Sequence, residues 1–439
     1  MTNSDWQTEY SRRLCTAHEA ANGLRDNERL ILPTLAGQPP AILAAMSEQL
    51  REGTMARVRA GTILPGPAVG DNLLLPEYVD RFQWDSLFCG SSDRAGVFEG
   101  IYDMTPMHFG QMPKIMRDDM KVGAVISLAS PPDADGYMSL GISIDYTKSL
   151  IETGRYSAVE VNPNVPNVFG NCRVHVTDVD AIVESDEEIF VLANPPVTPH
   201  DEKIGALIAE RIPNGATIQL GYGAAPSAVG LSLRGHKHLG IHTEMFVDAM
   251  RVLMEEGVVD NSQKSINPGK TLYTFAAGLR ETYEFLHENP AIEGHPVEYT
   301  NDVSVIAQHQ GMVSINATIA VDLTGQACSE SIGSRQYSGS GGQVDFIRGA
   351  MMAEGGRSFL VTHSTAKKGA LSSIMGDLAP GSVVTTARTD VDMVVTEYGV
   401  AELRGRSLRE RAQALISIAH PEFRDSLQEE ASKKGLGLR

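Results

Sequence analysis

Between residues 203 and 257 the sequence switches repeatedly between two periods, and that alternation constrains the fold more than any other feature. A helical stretch, KIGALIAERI, precedes the short apolar run TIQLG, a glycine turn, the helical PSAVGLSL, the run HLGIHTE and the helical FVDAMRVLMEEG. Short β-branched runs set between helical segments predict βαβ units: a mostly parallel sheet with helices on both faces. VGAVISLAS, YSAVEVN and EEIFVLAN read as earlier strands, and KTLYTFAAG, VSINATIAVDL, SFLVTHS and VDMVVTEYG as later ones. Residues 1 to about 60 read as helical, with PPAILAAMSEQLREG stopped by a glycine, and LRERAQALISIAHPEFRDSLQEEASKK reads as an amphipathic helical tail.

At 439 residues the chain is too long for one ordinary core. The proline-rich LANPPVTPHDE, at 192–202, separates two periodic regions, so two α/β domains are expected, 1–195 and 196–439. Hydrophobic residues at 42% and charged residues at 21% give a globular balance that excludes a disordered or membrane-embedded chain. The start, MTNSDWQTEYSRRL, is polar and lacks the apolar run of a secretory signal. Lys and Arg total 37 against 55 Asp and Glu, a net charge of -18. So acidic a surface repels nucleic acid and anionic lipid, and neither is expected as a partner. An anionic metabolite must instead be held by backbone dipoles or a few placed cations. Cys15, Cys89, Cys172 and Cys328 have neither paired nor metal-type spacing, which predicts reduced thiols, a cytoplasmic location and no metal site.

The sharpest local signal is the strand-to-helix turn Leu220-Gly221-Tyr222-Gly223-Ala224-Ala225-Pro226. Glycines let backbone amides approach a phosphate or thioester oxygen, and a helix N-terminus adds partial positive charge. An ordinary tight βα turn is the plainer reading. Glu244, in His242-Thr243-Glu244-Met245, lies about 20 residues beyond Gly223, the spacing of a dinucleotide-binding acid. Pro226 stands where that fingerprint wants glycine or alanine, which weighs against a nicotinamide enzyme. Two readings of Glu244 stay open on local grounds. Thr243 caps the next helix and Glu244 complements its dipole, or Glu244 is a carboxylate at the carboxyl end of a parallel strand, beside amides that stabilise an oxyanion.

The longer strings decide between them. HLGIHTEMFVDAM after the glycine turn, INPGK at 266–270, MVSINATIAVDLTGQ at 312–326, SGSGGQVDFIRGA at 338–350 and TEYGVAELRGRSLRERAQALISIAHPEFRDSL at 396–427 resemble the acetyl-CoA hydrolase/4-hydroxybutyrate CoA-transferase family. The resemblance spans nearly the whole chain, including VPNVFGN at 165–171. It implies two related open α/β domains with mostly parallel sheets, an active site between them, and transfer of CoA between an acyl group and a free carboxylate. It also implies that Glu244 is the nucleophile, that the Gly342 amide and the Asn301 side chain serve the reacting centre, and that Glu397 lies near it. CoA is expected along Gly221, Tyr222, Gly223, Ala224 and Ala225, with Ile319, Ser338, Gly342 and Lys367. Acyl-CoA and small carboxylic acids are then the substrates, no permanently bound cofactor is needed, and a homodimer is expected. Taken alone, Gly339–Gly342 would be a flexible loop, Asn301 a turn residue, Lys367-Lys368 a solvated turn and His242 a packing residue.

The first turn departs from the family's usual Gly-Ile-Gly-Gly-Ile-Pro. Tyr222 and the small Ala225 alter the wall beside the acyl group, which favours a dicarboxylate such as itaconate or succinate. A hydrolase that admits water to the same glutamyl thioester is the alternative reaction, and a non-catalytic CoA-binding protein the alternative class.

Overall fold

The computed structural model describes residues 5–193 and 195–437. The first four residues of the polar start, Asn194 within the expected linker and strand EEIFVLAN, and residues 438–439 lie outside the described residues. The chain forms two compact units, Met1–Ala193 with Leu272–Thr300, and Asn194–Thr271 with Asn301–Arg439. The second half of the sequence thus lends the 272–300 segment to the first unit, an excursion that no composition change marks.

The first unit is built on a seven-stranded sheet in the order Ala181–Glu184, Tyr156–Val161, Ala124–Ala129, Glu28–Ile31, Val58–Ile63, Phe82–Phe88 and Asp103–Met104. All its pairings are parallel. The central strand, Glu28–Ile31, lies in the stretch read as helical; four residues, ERLI, are too few to show a period. The helix Pro40–Glu52 does form as expected. Proline opens it where a missing N–H is harmless, and Gly53 at φ 74 closes it in the left-handed conformation. Its Ile42, Leu43, Met46 and Leu50 pack onto Leu30, Ala60 and Trp84 of the sheet. Each such full burial contributes about 1.5–3 kcal/mol relative to exposure.

Residues 187–193 of EEIFVLAN form no strand. The edge position beside Tyr156–Val161 is taken by the preceding Ala181–Glu184, and the Leu192 amide instead bonds the Gly278 carbonyl.

The second unit carries a six-stranded sheet in the order Gly240–Ile241, Thr217–Leu220, Met312–Ala317, Arg357–Val361, Met393–Thr396 and Gly399–Glu402. The first five strands are parallel, and only the last returns antiparallel, at the edge. Its first helix, Pro199–Ala209, begins inside the proline-rich segment because Thr198 and Asp201 form a capping box around Pro199. The C-terminal tail is two helices, Leu408–Ile418 and Pro421–Lys433, since Pro421 forbids the helical conformation at His420. Leu415, Ile418 and Leu427 close the core over Leu360 and Val394. Cys89, Cys172 and Cys328 are buried free thiols, and Cys15 is partly exposed. Among the described residues no helix is long and apolar enough to cross a membrane.

Candidate active site

Parallel pairing aligns strand ends, so the second unit's sheet brings distant sequence segments to one edge. Gly221 follows Thr217–Leu220, Ile319 lies two residues beyond Met312–Ala317, Glu244 follows Gly240–Ile241, and Glu397 follows Met393–Thr396. The carboxyl edge of such a sheet is where α/β proteins bind ligands.

The glycine turn needs its glycine. Gly223 caps the helix Ala224–Ser232 at φ 131 and ψ 173, a conformation closed to side chains. The Gly221 amide bonds the Ile315 carbonyl, which fastens the turn to the neighbouring strand. Beneath it lies a buried polar knot that the sequence reading missed. Gln219 exchanges bonds with Asn316 at 3.1 Å, while Ser314 donates to Gln219 at 3.0 Å. Polar residues in the middle of TIQLG and SINAT are its signal, because a buried amide on a strand requires partners. Tyr222 projects from the turn, 41% exposed.

Glu244 sits in a bend between the short strands Gly240–Ile241 and Met245–Phe246. The helix-capping reading fails here. The next helix starts at Asp248 with Val247 as its cap, and the Thr243 hydroxyl donates to the Met245 carbonyl. Asn301 donates from Nδ2 to Glu244 Oε2 at 2.8 Å. The Gly342 amide also bonds this carboxylate. Gly342 is the N-cap of the helix Gln343–Met352, so the dipole of that helix points its positive end at Glu244. A Cβ at Gly342 would overlap both Glu244 Oε2 and Asn301 Nδ2, so only glycine leaves this contact intact.

Burial pushes the Glu244 carboxyl up to about 7; the Asp345 charge adds to that rise, and the Asn301 and Gly342 bonds oppose it. As a whole residue Glu244 is only partly buried. Asn301 is 1% exposed, and its Oδ1 is a buried acceptor without a hydrogen-bond partner. His242 is fully buried, its ring 4.6 Å from that of His309 and 6.1 Å from that of Phe346. Packing, not proton transfer, accounts for it.

The other expected site residues have partners of their own. Glu397 accepts from the Ser364 amide at 2.9 Å and hydroxyl at 2.6 Å, and pairs with His200 at 3.2 Å. Burial alone would raise its carboxyl, but these bonds outweigh it and hold Glu397 below the usual glutamate value. Beside it His363 bonds Asp201 at 2.7 Å. Ser364, His200, Asp201 and His363 were not singled out in the sequence as a pair-forming group, because 162 positions separate Asp201 from His363. The Ser338 hydroxyl donates to Ser329 at 3.0 Å, and Ser340 donates to the buried Glu330 at 3.2 Å; together they shape the loop leading to Gly342. Ile319 is held by its amide on the Cys328 carbonyl. Lys367 and Lys368, both exposed and at φ 48 and 58, form the tip of the hairpin joining Thr365–Ala366 to Leu371–Ser372. Among the described residues no cluster of three or more His, Cys, Asp or Glu side chains is placed to hold a metal ion.

A carboxylate gripped by two amide donors at the carboxyl edge of a parallel sheet is a candidate site for acyl chemistry. The family model of the acetyl-CoA hydrolase/transferase N-terminal domain matches residues 1–193, and that of the C-terminal domain matches 278–431. The chain is 41% identical to succinyl-CoA:cyclohexane-1-carboxylate CoA transferase of Geobacter metallireducens, over 98% of this chain and 97% of that one. It is 40% identical to 4-hydroxybutyrate coenzyme A transferase of Clostridium kluyveri, over 98% and 100%. The crystal structure of RipA from Yersinia pestis superposes with a TM-score of 0.95 at 37% identity, covering 98% of this chain and all of that one. The chain belongs to the acetyl-CoA hydrolase/transferase family.

Proposed function

We propose that this CoA-transferase moves CoA between a short-chain acyl-CoA and a free carboxylate through a covalent thioester on Glu244. One observation carries the reading: Glu244 Oε2 lies 2.8 Å from Asn301 Nδ2, the same carboxylate accepts from the Gly342 amide, and in this reading Oε1 attacks. Oε1 adds to the thioester carbonyl, the C–S bond breaks, and CoA thiolate departs from an acyl-glutamyl anhydride. The thiolate then adds to Glu244 Cδ and the acid leaves, giving glutamyl-CoA. An incoming carboxylate reverses both steps, forming the new acyl-CoA and freeing Glu244. When the thiolate adds to Cδ, negative charge collects on Oε2, where Asn301 already points its N–H group, with the Gly342 amide on the same carboxylate. Donors in place before the charge develops need no reorganisation. Each exchange keeps an activated acyl bond, so no ATP and no permanently bound cofactor is needed.

The carboxyl raised to about 7 bears on how the nucleophile is formed. Burial favours the protonated form of Glu244 at neutral pH far more than for an ordinary glutamate. An anionic nucleophile is therefore generated by loss of a proton to solvent before acyl transfer.

CoA lies along the Gly221–Ala225 turn and the Lys367 hairpin in this reading, and Tyr222 selects the acceptor. Its exposed hydroxyl suits the distal group of a dicarboxylate such as itaconate or succinate. The enzyme acts as a cytoplasmic homodimer. Initial-rate kinetics with two varied substrates test the covalent route: parallel double-reciprocal lines support it, and intersecting lines speak for direct transfer within a ternary complex.

A further inference from the structure

We propose that the amino-terminal edge of the first unit's sheet is a binding groove for a small anion carrying a diphosphate group. A groove of about 590 Å³ opens there, and its lining includes Arg25, Arg29, Arg57, Arg59, Arg81 and Lys121. In a chain of net charge -18, six cations around one groove are a local reversal of sign. Three carboxylates share the lining: Asp80, Asp26, which accepts from the Arg57 amide at 3.0 Å, and Glu28, which is bonded to Arg155 at 2.7 Å, so the cations of the lining outnumber its carboxylates six to three.

The strands themselves place two cations in opposition. Arg29 and Arg59 are register partners on the parallel strands Glu28–Ile31 and Val58–Ile63. Like charges directly across a strand pair are destabilising. One carboxylate, Asp85, stands between them, 3.1 Å from Arg59 and 4.0 Å from Arg29. Its other oxygen is taken by the Thr105 hydroxyl at 2.6 Å. Asp103 adds a second contact to Arg59 at 3.3 Å, yet it is 73% exposed and screened by water. Arg59 Nε is buried without an acceptor. Burial, then the Arg59 charge, holds the Arg29 guanidinium below its ordinary value. Two guanidinium groups on one carboxylate make an electrostatically incomplete set, and guanidinium geometry matches phosphate oxygens in pairs. Backbone at the rim is also held in an unusual conformation, with Asn27 at φ 61 and Lys121 at φ 53. Open α/β sheets bind their reacting ligands at the carboxyl edge. This groove is at the other edge of its sheet, so it serves a second ligand.

The probe is pyrophosphate, titrated calorimetrically into the full chain at constant ionic strength with CoA at saturation, so that the phosphate subsites of the reaction are filled. We expect binding of one pyrophosphate, weakened at least about tenfold in the double variant Arg57→Gln, Lys121→Gln. Both side chains are exposed, so folding should survive, and circular dichroism checks it. A charge-matched control, Lys237→Gln with Lys433→Gln, should bind as the unaltered protein does. No binding in the presence of CoA, or equal affinity in both double variants, overturns the proposal.

Discussion

Asn301 Nδ2 and Glu244 Oε2, 57 positions apart in sequence, are 2.8 Å apart in space. The chain leaves the second unit at Thr271 and returns at Asn301, so the residue at the point of re-entry is the one bonded to the carboxylate. Because Asn301 is 1% exposed and lies in the turn between the short helices Val297–Thr300 and Val303–Ile306, its amide is fixed before any substrate arrives. A fixed donor beside a carboxylate that becomes a thioester serves the reaction in both directions.

Asn301→Ala should therefore reduce kcat by about 10²–10³, the usual cost of removing one oxyanion donor, with a smaller effect on the KM for acyl-CoA. Steady-state kinetics read both constants. A fall in KM affinity with kcat intact would mean that Asn301 binds substrate and does not stabilise charge.

Gly342→Ala should abolish covalent chemistry without unfolding the protein. The Gly342 backbone, at φ -97, tolerates alanine, but the added methyl occupies the space of the Asn301–Glu244 contact. Circular dichroism should match the unaltered protein while turnover falls at least as far as in Asn301→Ala.

The pH dependence follows from the raised carboxyl. The attacking form is the anion, so the rate of adduct formation by the empty enzyme should rise with pH, reach half its maximum near 7 and level off above it. In Asn301→Ala a bond that favours the anion is lost, and the midpoint should move upward. Rapid-quench measurement of the free acid released in a single half-reaction, across pH 5.5 to 8.5 (roughly one and a half units either side of the midpoint), checks both statements.

The same shift has a consequence for stability. A glutamate whose folded value lies above its unfolded value favours the folded state most when protonated, so its contribution is lost as pH rises from the unfolded value through about 7. Glu244→Gln removes the charge that burial opposes. It should stabilise the empty protein by about 1–2 kcal/mol at pH 8 and little at pH 5, a smaller figure than the full shift because the amide must also satisfy the Asn301 and Gly342 donors. Thermal melts at the two pH values measure the difference.

Tyr222→Ile tests the acceptor reading. Removing the exposed hydroxyl should lower kcat/KM for dicarboxylate acceptors at least about tenfold relative to acetate or butyrate, the order expected for one hydrogen bond to a charged group. An unchanged ranking of acceptors would exclude Tyr222 as the selecting residue.

Much of this was legible along the chain, and the failures have physical causes. GYGAAP announced a strand-to-helix turn because Gly223 adopts a conformation that only glycine takes. Pro40 and Gly53 bounded a helix to the residue. ERLI was missed as the central strand because four residues, two charged and then two apolar, are too few to display an alternation. EEIFVLAN misled for the opposite reason, since its apolar run lies in a non-regular segment with Ile189 buried and needs no ladder. The Asn301–Glu244–Gly342 contact was reachable only through family resemblance. No local rule joins three residues spread over 99 positions of chain. Gln219 and Asn316 were readable as buried amides on apolar strands, but not as partners of each other.

The central claim is that Glu244 becomes covalently joined to CoA. Peptide mass spectrometry after brief incubation with a panel of acyl-CoAs, beside Glu244→Ala, measures it directly. The account predicts a CoA-sized mass increase on the peptide containing His242-Thr243-Glu244-Met245, absent from the variant and discharged by added carboxylate. Multiple turnovers with no adduct on that peptide under any donor, or an adduct that persists in Glu244→Ala, would contradict it.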